Sequence, residues 1–173
     1  MWKPIKKTLD RFLEALVALA MAVLTIDVLW QVITRFILKN PSSWTEELAT
    51  NMMIWVGLLG ASVALKYQAH LGIDYFVNKL GEKKRLWTEV IAYLSISLFA
   101  VFVMILGGLH MVVITFRFGQ LTPALGIPAG YVYLAVPVSG IFLAIYAIEF
   151  LIETLLKLKN YGTRQNAALI KNG

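Results

Sequence analysis

Four long apolar runs, centred near Leu24, Gly57, Ala100 and Phe142, dictate what this chain can become. A helix that crosses the hydrocarbon of a bilayer needs about 20 apolar residues, so four of them consume roughly 80 and leave only short connections. Composition agrees. Hydrophobic residues make up 59% of the 173 and charged residues 15%, with no cysteine, against about 45–50% and about 25% in soluble domains. A soluble enzyme, a disulfide-stapled secreted scaffold and a sizeable extramembrane domain are thereby excluded. The expectation is an all-α integral membrane protein forming one membrane domain over 1–160. Its spans should lie near 14–38, 46–66, 87–116 and 130–155, with a disordered tail over 161–173.

The net charge of +6 invites a nucleic-acid reading, but the placement of the 16 basic residues points to a membrane instead. Lys3, Lys6, Lys7 and Arg11 precede the first run; Lys66, Lys79, Lys83, Lys84 and Arg85 separate the second and third; Lys157, Lys159, Arg164 and Lys171 follow the fourth. In a four-span chain all thirteen share one side, leaving Arg35, Lys39 and Arg117 for the other. The positive-inside rule puts both termini in the cytoplasm. Ala18-Leu19-Ala20 looks like a signal-peptide cleavage site, yet the apolar stretch continues past it to Leu38, so an uncleaved first helix is expected.

Local signals refine this plan. Ile5, Leu9, Phe12, Leu13 and Leu16 recur at helical spacing opposite Lys6, Lys7, Asp10 and Arg11, which predicts a surface-lying amphipathic helix over about 3–13. Ser43-Trp44-Thr45-Glu46 reads as a capping box that starts the second helix at Trp44. That helix carries Gly57, Gly60, Ala61 and Ala64, a stripe of small residues of the kind that lets helices approach closely in lipid. Ile73, Phe76, Val77 and Leu80, stopped by Gly81, predict a second surface helix over about 72–81. The third run, about 31 residues, is long for roughly 30 Å of hydrocarbon and should tilt or protrude. Residues 119–128 form a breaker-rich outer loop, and Pro137 should bend the outer half of the fourth helix. No internal repeat is visible.

Each chemically suggestive residue has a structural explanation. Asp27 lies deep in the first run, where a carboxylate can mark an ion or proton route. Gln31 and Arg35 follow it on the same helical face, so an intramembrane polar network of the three is the simpler reading. Glu46 and Glu47 open the second helix on the outer side, where its N-terminal dipole favours them. Glu149, Glu153 and Lys157 form a ladder that can also serve Lys6 or Arg11. His70 and His110 fall in opposite halves of the bilayer and cannot share a haem. Glu14 resembles the single membrane carboxylate of small multidrug exporters but sits beside Arg11 at the inner border. No nucleophile–base pair, phosphate loop or metal spacing appears, and no cofactor is expected. Trp2, Trp44, Trp87, Tyr67, Tyr131 and Tyr161 are placed as interface anchors.

Several segments in order resemble the small membrane subunit (the DctQ-like Q subunit) of tripartite ATP-independent periplasmic (TRAP) transporters. They are Trp44-Thr45-Glu46-Glu47, Ile54 through Ser62, His70-Leu71-Gly72-Ile73-Asp74, Thr122 through Pro128, and Tyr133-Leu134-Ala135-Val136-Pro137. The likeness covers roughly residues 10–155. It implies a bacterial inner-membrane protein that is not an enzyme. Its partner would be a large multi-span subunit that carries organic acid anions inward by a sodium-coupled elevator motion. A soluble periplasmic protein would deliver the substrate, sialic acid ahead of a C4-dicarboxylate. The small subunit would then brace the static part of its neighbour. Gly57, Gly60, Ala61 and Ala64 are the expected large-subunit contact, and Glu47 and Arg117 the expected outer rim for the binding protein. The rival readings are a self-sufficient proton-coupled exporter using Asp27 or Glu14, and a haem-bearing anchor for a redox enzyme.

Overall fold

Backbone N–H and C=O groups in hydrocarbon must find partners within their own segment, so an apolar run without interior proline has one solution, the α-helix. The computed structural model describes residues 2–40, 42–67 and 81–172, with side chains from 6 to 161 within them. Four helices there are long and apolar enough to cross a membrane: Lys6–Ile37, Ser43–Lys66, Glu82–Arg117 and Gly130–Tyr161. The first is α1 (Trp2–Val32) prolonged by a π-helical turn, Ile33–Ile37, and the second is α2 (Ser43–Lys66). The third joins α3 (Glu82–Leu98) to α4 (Gly108–Arg117) through a π-helical stretch, Phe99–Gly107. The fourth comprises the short α5 (Gly130–Tyr133) and α6 (Ala135–Asn172).

Three local expectations change. Residues 3–13 are the inner end of α1 itself, with no break before the span. Part of its apolar face packs inward: Leu13 is fully buried, and Leu9 and Leu16 lie against the same cluster, while Phe12 is exposed. The second helix starts at Ser43, one residue early, and its cap position is Ser42. There the Thr45 hydroxyl, 2.6 Å from the Ser42 hydroxyl, donates to the Ser42 carbonyl (2.8 Å), while Glu46 stays exposed. The last helix runs through 161–172, where disorder was expected; each residue added to an existing helix brings its own hydrogen bond. The segment expected as a second surface helix, 72–81, lies outside the described residues apart from Gly81.

The fourth span is the axis of the bundle. It packs on the second and the third, and 44% of its most apolar window is buried against 11% for the first span. Leu13, Leu59, Leu65, Phe142, Tyr146 and Ala147 form the core, weighted toward the inner half. Deeper contact between the third and fourth spans depends on glycine. A Cβ on Gly140 would come 2.7 Å from Met104 Cβ, and one on Gly108 would come 3.0 Å from Pro137 Cδ. Helix α5 gives way at Leu134, one turn before Pro137, whose missing N–H leaves the Tyr133 carbonyl without its helical donor. Mid-span, the buried Ser62 hydroxyl donates to the Ser139 carbonyl at 3.1 Å, tying α2 to α6.

Candidate functional site

Polar side chains gather at the two ends of the bundle. At the end that carries both termini, α1 presents Lys6, Asp10 and Glu14 on one face. Lys6 pairs with Glu149 of α6 at 2.5 Å. Lys66, the last residue of α2, lies 2.5 Å from Glu14 and 3.6 Å from Asp10. The Tyr67 hydroxyl donates to Glu14, and the Tyr146 hydroxyl to Asp10 at 2.6 Å. Accepting from Tyr67, the Glu14 carboxylate holds that phenol above its usual value. These contacts join the first, second and fourth spans at one end of the bundle. Glu14 is thus paired with Lys66 and Tyr67 rather than held beside Arg11, and the Lys6–Glu149 part of the ladder forms while Glu153 and Lys157 are exposed.

At the opposite end, Glu47 reaches across to the loop between the third and fourth spans. Its Oε2 accepts from the backbone N–H groups of Ala124 and Leu125, the second at 3.1 Å. The loop is a narrow hairpin. Thr122 N donates to Ile127 O at 2.8 Å and Ala129 N to Gln120 O at 2.9 Å, with Gly119 and Gly126 at φ +60° and +66°. Those left-handed positions explain why two of its residues are glycine. Behind the loop lies a cavity of about 450 Å³, lined in part by Glu47, Asn51, Gln120 and Tyr133. The second Glu47 oxygen and the Asn51 side-chain N–H₂ are buried there with no hydrogen-bond partner. Arg117 is exposed nearby in sequence, at the end of α4.

Asp27 does not join the expected network. It is only 4% exposed, on the face of α1 that meets α2, yet neither carboxylate oxygen has a hydrogen-bond partner among the described residues. Arg35 is exposed and Gln31 half-buried, and neither reaches the acid. One helical turn brings Gln31 onto the right face, but α1 rises about 1.5 Å per residue, which sets Arg35 roughly 12 Å away along the axis. The small-residue stripe also differs from a within-bundle contact. Gly57, Ala61 and Ala64 are exposed, and nothing lies within 4 Å of a Cβ placed on Gly57 or Gly60. The glycines that admit close packing are Gly108, Gly130 and Gly140, of which Gly140 has a small residue, Ala144, four positions along the same helix. His70 lies outside the described residues and His110 is exposed. No group of three metal-ligating side chains occurs among the described residues.

A family model for the DctQ component of tripartite ATP-independent periplasmic transporters matches residues 24–157. The chain belongs to that family. This DctQ protein is 31% identical to the sialic acid TRAP transporter small permease protein SiaQ of Vibrio cholerae, over 97% of its own length and 94% of the relative. It is 34% identical over 69% of its length to the sialic acid TRAP transporter permease protein SiaT of Haemophilus influenzae, of which it spans only 19%. To the C4-dicarboxylate TRAP transporter small permease protein DctQ of Rhodobacter capsulatus it is 29% identical over 56% of its length and 42% of the relative. It is accordingly a small permease subunit of the bacterial inner membrane and not an enzyme. TRAP small subunits pair with a large permease subunit, and the match to a segment of the longer SiaT reflects that pairing.

Proposed function

We propose that this DctQ protein is the stationary accessory subunit of a sodium-coupled TRAP transporter for organic acid anions, with sialic acid as substrate. The full-length similarity to a sialic acid small permease carries the substrate assignment. The supporting role rests on where the polar groups are spent: among the described residues they lock helices to one another at both ends and build no path between. Glu14, tied to Lys66 and Tyr67, is a poor carrier for proton-coupled export. Both termini face the cytoplasm in this reading, on the thirteen-to-three division of basic residues.

Two open faces are available to the large subunit: the stripe of Gly57, Gly60, Ala61 and Ala64, and the groove beside Asp27. The periplasmic binding protein docks on the outer rim, at the 119–128 loop and Arg117, with Glu47 acting through the loop it holds. The test is reconstitution. The large subunit, this chain and the binding protein together should accumulate sialic acid in liposomes under an inward sodium gradient. This chain alone should pass none, and the other two without it should lose most uptake. Flux through the chain alone, or full uptake without it, defeats the proposal.

A further inference from the structure

The outer half of α1 leans chiefly on α2 and leaves a groove of about 480 Å³ lined by Val23, Ile26, Asp27, Trp30, Trp44 and Leu48. Everything in it is apolar or aromatic except the Asp27 carboxylate, whose two oxygens are both without a partner. An acid in a membrane span is ordinarily turned into the bundle and matched there by another polar group. Asp27 is turned in, 4% exposed, and no match for it lies among the described residues. The requirement is therefore for a donor from outside. Both oxygens are enclosed behind the groove wall, so a donor reaches them as the outer half of α1 eases off α2, and a guanidinium, with its parallel N–H groups, then engages both at once. Trp30 and Trp44 in the same lining offer ring faces on which that planar cation can stack.

We infer that the groove between α1 and α2 receives an arginine side chain from a membrane helix of the large subunit, paired with Asp27 and flanked by Trp30 and Trp44. This rests on the accessory-subunit reading and names its contact. On α2, Trp44 and Leu48 lie on the side opposite Gly57, Ala61 and Ala64 by helical phase, so the groove and the stripe are distinct faces.

The experiment co-expresses the two subunits and measures how much large subunit is recovered with this chain. Recovery with the unmodified chain tests the accessory-subunit reading; if it fails, both fall. Given recovery, Asp27→Asn and Asp27→Leu should each lower it about tenfold or more. The isolated chain with Asp27→Leu should unfold at the same or a higher temperature, because an unmatched buried acid has been removed. Because the chain has no cysteine, single Val23→Cys and Ile26→Cys variants can be cross-linked cleanly, and both should capture the large subunit. An arginine-to-glutamine scan of its spans should yield one position whose loss is not additive with Asp27→Asn. Undiminished recovery with both Asp27 variants, capture of lipid or a second copy alone, or a lower unfolding temperature for isolated Asp27→Leu each overturns the inference and leaves the accessory reading standing.

Discussion

Glu47 and Lys66 each serve as a tie between segments far apart in sequence, and each tie has a distinct consequence. One Glu47 oxygen satisfies two backbone donors in a loop whose tip is otherwise held only by its own hairpin bonds. Glu47→Ala should free that loop and lower the unfolding temperature in detergent. Glu47→Gln keeps an acceptor and should lose less, and equal losses would mean that the carboxylate's charge, not its acceptor, holds the loop. Lys66 faces Asp10 and Glu14 together. Lys66→Met leaves two acids at the inner border without their cation, so it should destabilise more than Glu14→Gln does. Thermal unfolding of the two variants in one detergent checks the order. Neither tie was legible beforehand. Glu47 was recognised as an outer acid, but its loop partners are 77 and 78 residues away. Periodicity reports which face a residue occupies, not what a distant loop brings to it.

Helices expose a different division between pattern and packing. Four apolar runs announced the four helices that, among the described residues, are long and apolar enough to cross a membrane, because hydrocarbon thickness fixes how long such a run must be. Which small residues meet a neighbour was not readable. Gly57 and Gly60 fit a small-xxx-small spacing but face outward, whereas Gly140, which fits the same spacing with Ala144, lies against Met104 and Ala100 of the π-helical stretch; spacing alone does not tell the two cases apart. Gly140→Val should therefore cost about 1–3 kcal/mol through overpacking, read by thermal unfolding. Gly57→Leu should leave the isolated chain's stability unchanged, and any fall it causes in recovery of the large subunit would assign the stripe to that contact. Ser62→Ala removes one interhelical hydrogen bond and should cost about 0.6 kcal/mol, the mean measured for such bonds in a membrane. The π-helical stretch Phe99–Gly107 left no trace in the sequence, since its residues would form an ordinary helix equally well.

Taken as a whole, the bundle has a central fourth span, a second and third packed on it, and a first that hangs on the second with most of its surface bare. That bareness separates the expected architecture, visible in hydropathy and charge placement, from the assembly, which depends on surfaces left uncovered. Removing this chain should abolish most sialic acid uptake in cells that rely on the transporter, and restoring it from a plasmid should return uptake. Asp27→Asn should restore less than the unmodified chain.

The Glu47 hook has a mechanical meaning for whatever lands on the loop it holds. A force applied to the loop at Ala124 and Leu125 passes through one carboxylate to the head of α2, and from its foot, through Lys66, into α1. A docking event at a single loop is thus borne by the entire structure, the way a tug on one guy rope is shared by every pole of a frame.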